Sequence, residues 1–281
     1  MKRRFTYKHT CVGSPAISAC DLLAANTGLS KRVVKDAMAK GAVWLRRARR
    51  TGRAKTLRLR RASSTLSAGD HIEMYYDADI LAQSCPAADR RFDSEHYSVW
   101  YKPAGLLTQG TQFGDACSLL RQAEHVAGGG RQMYLVHRLD REAQGLVLVA
   151  HSSRAAATLS RLFQDNTVDK SYRVQVLGHP SEHGCIYTPL DGKVAQTKYW
   201  LRAYDAVTDV ATLDVVIRSG RLHQIRRHLA GIGHPIMGDP RYGEGNKNTA
   251  GMRLIASALS FECPFAGRSR HFALEAHELA F

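Results

Sequence analysis

YLVHRLDREAQGLVLVA, residues 134–150, places His137, Arg138, Asp140, Arg141 and Glu142 between two apolar runs. GLVLVA (145–150) is an unbroken apolar run of strand length, the pattern of a buried strand, and Gly145 opens it. The charged cluster therefore belongs to a loop at the mouth of a buried strand. Loops held by rigid strands are where sites are usually built. Taken alone, Asp140 is equally well explained as a structural carboxylate paired with Arg138 or Arg141.

Strand signals recur on either side of this loop. YSVWY (97–101) is ended by Lys102-Pro103 and Gly105. Tyr172, Val174 and Val176 alternate with polar residues, as do Leu213, Val215 and Ile217, which puts each set on one face of a strand. Helical patterns stand between them, at Arg154–Gln164 behind the Ser152/Ser153 cap and at Leu222–Ala230. Strands and helices mix without a regular βαβ repeat. The pattern predicts an α+β domain on a mixed, mostly antiparallel sheet.

The N-terminal region reads differently. In LSKRVVKDAMAKGAVWL (29–45), Ser30 can cap a helix, Val33, Val34, Ala37 and Met38 form its apolar stripe, and Gly41 stops it. A strand at Ala42–Leu45 and another in AGDHIEMYY (68–76) follow. Between them, residues 46–61 carry nine basic residues and no acid. The net charge is +15, and residues 1–80 hold 17 Lys/Arg against 6 Asp/Glu, so most of the excess lies there. A flexible solvated loop would explain mobility but not the single sign, so the run points to a polyanion. The expected organisation is a basic module over 1–78, a linker over 79–95 and a second domain over 96–281.

Several classes are disfavoured. No apolar run approaches a membrane span, and the basic start lacks the apolar stretch of a signal peptide, so a cytoplasmic protein is expected. The six cysteines form no CxxC pair, and His223 and His228 are five residues apart, on different faces of a helix. No metal site and no cofactor are expected, and a monomer is the default.

Two further clusters bear on chemistry. RSGRLHQIRRHLAGIGHPIMGD (218–239) turns at Ser219-Gly220 into a helix with Leu222, Ile225, Leu229 and Ile232 as its apolar stripe. Arg226 lies at the edge of that stripe, and a guanidinium near a buried face needs a partner such as Asp140. Arg221 and Arg227 point elsewhere and can reach phosphates. In KSYRVQVLG (170–178) Tyr172 shares a face with core valines, where a ring packs or, at a site edge, stacks on a base.

In combination, HRLD (137–140), K-S-Y thirty residues on, GRLHQIR (220–226) and GHPIMGD (233–239) resemble the RluA-type pseudouridine synthases in order and spacing. KPAGLLTQG (102–110) is similar to that family's first strand and loop, and the resemblance covers about residues 96–265. Residues 1–76 more loosely resemble the small alpha-L RNA-binding module of a ribosomal protein, apart from the arginine-rich insertion. The resemblance implies an enzyme that isomerises uridine to pseudouridine in structured RNA without a cofactor, ribosomal RNA being preferred and transfer RNA open. It implies Asp140 as the catalytic aspartate, Tyr172 as the active-site tyrosine and Arg226 as the basic partner of the aspartate. Leu254 resembles the leucine that lines the uracil pocket. Arg138, Arg141, Lys170, Arg221 and Arg227 are the candidates for holding RNA. The chain departs from the family pattern at Ala143-Gln144, where Thr-Ser is usual, at Ile255, where His is common, and at Tyr101, where Asn is common. A non-catalytic RNA-binding factor and a hydrolase using Asp140 are the competing readings.

Overall fold

The computed structural model describes residues 3–13, 17–48, 55–128, 132–243 and 250–281. Part of the arginine-rich run, residues 49–54, lies outside the described residues. The chain divides into two units, one of residues 1–85 with 109–122, the other of residues 86–108 with 123–281.

The first unit contains β1 (Arg4–Thr10), α1 (Ala19–Thr27), α2 (Lys31–Ala39), β2 (Val43–Arg46), β3 (Thr56–Arg58), β4 (His71–Asp77) and α3 (Ala78–Ala82). Its sheet runs β1-β4-β2-β3, antiparallel throughout. Ser30 caps α2 through its side chain, and Val34, Ala37 and Met38 are buried. Gly41 sits at φ +84°, where a Cβ is disfavoured, so the chain turns there into β2. Leu22, Leu23, Met38, Ile72 and Met74 fill the core of this unit.

The second unit carries β5 (Asp89–Asp93), β6 (Tyr97–Lys102), β7 (Tyr134–Leu135), β8 (Gln144–Ala150), α5 (Ser153–Gln164), β9 (Asp169–Leu177), β10 (His183–Ile186), β11 (Thr197–Asp205), β12 (Val210–Ile217), α6 (Gln224–Gly231), β13 (Leu254–Cys263) and β14 (Arg268–Ala273). A further helix, α4 (Leu119–Val126), spans the boundary at residue 122. The sheet order is β10-β11-β12-β9-β13-β8-β6-β5, with β14 on β13 and β7 on β8. Among the described residues β13 and β8 pair parallel and the other strand pairs are antiparallel. This is the mixed, mostly antiparallel α+β architecture expected. In the main core, α5 lays Ala155 and Leu159 against Leu146, Leu148, Ile255 and Leu259. No helix among the described residues is long and apolar enough to cross a membrane.

In three places the described structure differs from the expected organisation. Residues 79–95 are not a plain linker, because α3 lies in them and β5 joins the large sheet beside β6. Residues 109–122 group with the N-terminal unit, not with 96–281. Several arginines of the basic run find their anions inside the chain. Arg47 reaches Asp70 at 2.7 Å, and Arg58 and Arg60 reach Asp115 at 3.1 and 2.5 Å. Asp115 is more than fifty residues from either arginine, so no local reading of the run reveals it.

Candidate active site

Asp140 stands on the loop between β7 and β8, and the KPAGLLT segment holds that loop on both sides of it. Thr108 Oγ1 donates to Leu139 O at 2.7 Å and accepts from Leu139 N at 3.1 Å. Lys102 Nζ donates to Leu106 O at 2.7 Å, Pro103 O at 3.1 Å and Arg141 O at 3.3 Å, while Gly105 N donates to the same Arg141 carbonyl. Burial pushes Lys102 down to about 8, with Glu142 and Asp140 opposing the shift. On the far side of the loop, Gly145 is at φ +118°, and a Cβ there would meet Ala256 O at 2.3 Å. The parallel contact of β13 with β8 therefore demands glycine at the base of the Asp140 loop.

Asp140 faces a cavity of about 240 Å³ lined also by Arg138, Ala143, Tyr172, Arg221, Arg226 and Leu254. Arg226, 3% exposed, comes from α6 and donates through Nη1 to Asp140 Oδ2 at 2.7 Å. Its other edge is taken by Asp239, with Nε to Oδ2 at 2.7 Å and Nη2 to Oδ1 at 2.8 Å. Burial disfavours the guanidinium charge, but the two carboxylates more than offset this and hold Arg226 above its ordinary value. Burial likewise raises Asp239, and its bonds from Arg226 and from the Arg241 and Tyr242 backbone outweigh that and lower it.

Tyr172, 9% exposed, forms one wall. Burial, then the charge of Asp140, raises its phenol well above the usual value, so the ring is neutral. Leu254 is buried on the opposite strand edge, where it pairs with Val174. His223 precedes α6 in the left-handed region, φ +51° and ψ +33°. Its Nδ1 lies 3.0 Å from the Tyr242 hydroxyl and its Nε2 3.7 Å from Asp140 Oδ1. Burial pushes its imidazole down, so it is neutral near pH 7.

A second cavity of about 380 Å³ shares Arg138, Tyr172, Gly220 and Arg221 with the first and adds His137, Asn166 and Lys170. Lys170 Nζ donates to Arg218 O, and burial pushes its pKa down to about 8.

The structure thus brings Asp140, Tyr172, Arg226, Leu254, Arg138 and Arg221 to one cavity and Lys170 to its neighbour. It does not bring Arg141 or Arg227 there. Arg141 Nε reaches back to Gly105 O, and Arg227 is held by both oxygens of Asp191 at 2.9 and 3.2 Å. The apolar stripe of α6 is also shorter than predicted. The helix begins at Gln224, two residues late, because His223 turns the chain, and Leu222 is left 60% exposed at the cavity rim. Asp239, His223 and Tyr242 were not among the predicted site residues. The one local signal was GHPIMGD itself, whose last residue carries an unassigned charge beside a turn.

Residues 96–231 match the family described as RNA pseudouridylate synthase. An uncharacterised RNA pseudouridine synthase of Aquifex aeolicus is 30% identical over 256 residues, covering 78% of this chain and 80% of that protein. The ribosomal large subunit pseudouridine synthase D of Zymomonas mobilis is 32% identical over 217 residues, covering 66% and 68%. The chain belongs to the RNA pseudouridine synthase family. It is therefore an isomerase that modifies RNA, and its motifs place it with the RluA-type members. Among solved structures, human RNA pseudouridylate synthase domain containing 1 shares the fold, with a TM-score of 0.59 at 20% identity over 69% of the synthase and 86% of that chain.

Proposed function

We propose that this synthase converts uridines of structured ribosomal RNA to pseudouridine, with Asp140 as the group that acts on the ribose. The observation that carries the reading is the Asp140 carboxylate, tethered by the buried Arg226 at 2.7 Å and open to a cavity walled by Tyr172 and Leu254. The ribosomal substrate is supported by the names of the relatives from Zymomonas mobilis and Nitrosomonas europaea, both ribosomal large subunit pseudouridine synthase D. Transfer RNA is the alternative that the experiment below separates.

The reaction breaks the bond from C1′ to N1, turns the uracil and joins C1′ to C5, with no atoms gained or lost. Asp140 performs the first step either by adding to C1′ or by removing a proton from the sugar. Either route needs a fixed, anionic carboxylate. The freed base must be retained while it turns, and Tyr172 and Leu254 supply flat and apolar walls for it. The target uridine must first leave its stack, at a cost of a few kcal/mol. Arg138 and Arg221, at the cavity, are placed to hold the flanking phosphates, with Lys170 behind them. Arg227 takes no part in this scheme, since Asp191 already holds it. The N-terminal unit acts as an RNA-binding module, as its charge suggests, and the protein works in the cytoplasm.

The test is to map pseudouridine in total RNA from cells lacking the gene and complemented with wild type or Asp140→Asn. A site in ribosomal RNA that disappears and returns only with wild type is the expected result. Restoration by Asp140→Asn would refute the role of Asp140, and a dependent site in transfer RNA would refute the substrate.

A further inference from the structure

We infer that Asp239 is a positioning residue for the isomerisation, acting through Arg226 on Asp140. The inference rests on the reading of Asp140 given above. Asp239, whose side chain is 0% exposed, is fixed before it meets the guanidinium. Its Oδ1 accepts from the backbone N–H groups of Arg241 at 2.8 Å and Tyr242 at 3.0 Å, within its own turn. It then takes the Nε–Nη2 edge of Arg226 in a two-bond fork. The Tyr242 ring lies over the same guanidinium, 5.2 Å from its centroid to Cζ.

Two consequences follow from the count of charges and donors. Asp239, Arg226 and Asp140 carry a net charge of −1. Because Asp239 neutralises Arg226 from the buried side, the uncompensated negative charge of the triad falls to Asp140, at the cavity. The fork takes the Nε–H and one Nη2–H, and Arg226 meets Asp140 through Nη1, on one carboxylate oxygen. The other, Oδ1, has the neutral His223 ring 3.7 Å away through Nε2 and stays available to the sugar. An arginine without Asp239 would be free to turn its own two-nitrogen edge onto Asp140 and engage both oxygens. Asp239 thus sets both the direction and the strength of the grip. Asparagine cannot substitute, since its amide NH2 would face a guanidinium nitrogen, donor against donor.

The experiment uses the full-length protein and a transcript of the large-subunit ribosomal RNA, with single-turnover rates and RNA Kd measured separately. Asp239→Asn should lower the rate about 100-fold, the scale of a misplaced reacting group, while Kd stays within about threefold. Asp239→Glu, which keeps the charge, should recover part of the loss. A rate for Asp239→Asn within about threefold of wild type overturns the inference. So does a joint loss of rate and RNA affinity that Asp239→Glu does not relieve, because that marks a merely structural role. Should Asp239→Asn fail to fold, Asp239→Glu decides, since it keeps the charge but moves the carboxylate by one methylene. It should show a loss of rate at unchanged Kd, and a rate within about threefold of wild type overturns the inference. Full turnover by Asp140→Asn would instead overturn the reading beneath it.

Discussion

Gln144, Tyr101 and Ile255, which the sequence reading set apart from the motifs the chain resembles, are neighbours. The Tyr101 hydroxyl donates to Gln144 Oε1 at 3.1 Å, and Gln144 faces Ile255 across the parallel strand pair. Ile255 is fully buried in the core beneath α5. The changes form one set, a hydrogen-bonded pair beside an apolar filler, and they leave Asp140, Arg226 and Tyr172 untouched. His137, in the same motif as Asp140, has a separate consequence. Its Nε2 accepts from Leu148 N at 2.9 Å and its ring stacks on Phe163 at 4.5 Å. Burial, then the Lys170 charge, lowers its pKa to about 3. The unfolded chain takes that proton near pH 6.5, the folded one does not. The stability His137 contributes is therefore complete above pH 6.5 and is lost as pH falls from 6.5 toward 3, by at most about 1.4 kcal/mol per pH unit. Urea unfolding of wild type and His137→Gln across pH 4.5–7.5 should show a steeper acid loss for wild type. Parallel curves would refute the assignment.

At the scale of elements, the loop that carries Asp140 is fastened by its neighbours. The KPAGLLT segment contributes the Thr108 pair to Leu139 and the Lys102 bonds, one of them to Arg141 O, on either side of Asp140. Strand β13 closes the other side, against Gly145. A methyl group at Gly145 meets backbone atoms of Ala256 at 2.3 and 2.6 Å and sits at a φ that side chains avoid. Backbone cannot yield as a flexible side-chain tip can. Gly145→Ala should therefore cost about 2–6 kcal/mol, the sum of a strained φ and an overpacked contact. Chemical denaturation measures it, and a cost under about 1 kcal/mol would show that β13 can move away from β8. Periodicity revealed these strands individually. It did not reveal that β13 and β8 run parallel, since the pairing joins residues more than a hundred positions apart.

At the scale of the whole molecule, charge and domain organisation meet. The excess of +15 is concentrated in residues 1–80, yet Arg47, Arg58 and Arg60 are engaged by Asp70 and Asp115. Those three arginines maintain the N-terminal unit. The RNA contact proposed for the basic run is left to side chains such as Arg46 and Lys55, both exposed. The affinity of an RNA-binding protein falls with salt by about 0.7 to 0.9 log units per log unit of salt for each phosphate engaged. Arg46→Gln with Lys55→Gln should lower the salt slope of RNA binding by roughly 1.4 to 1.8 while leaving the folded state intact, as read by filter binding at several salt concentrations. An unchanged slope would show that this face of the unit does not meet RNA.

The sequence by itself determined the α+β class, most strands and helices and the motifs of the family, and through that resemblance marked Asp140, Tyr172, Arg226 and Leu254 as candidates, because periodicity, caps and motif spacing are local and survive as text. Only the tertiary structure decided that Asp239 clamps Arg226, that Arg227 is held by Asp191, that Leu222 stands in solvent and that residues 109–122 belong with the N-terminal unit. Each of these depends on a pairing between distant residues or on where one φ angle turns the chain. Burial then fixes the outcome, since a charge removed from water must find its partner wherever the fold has brought one.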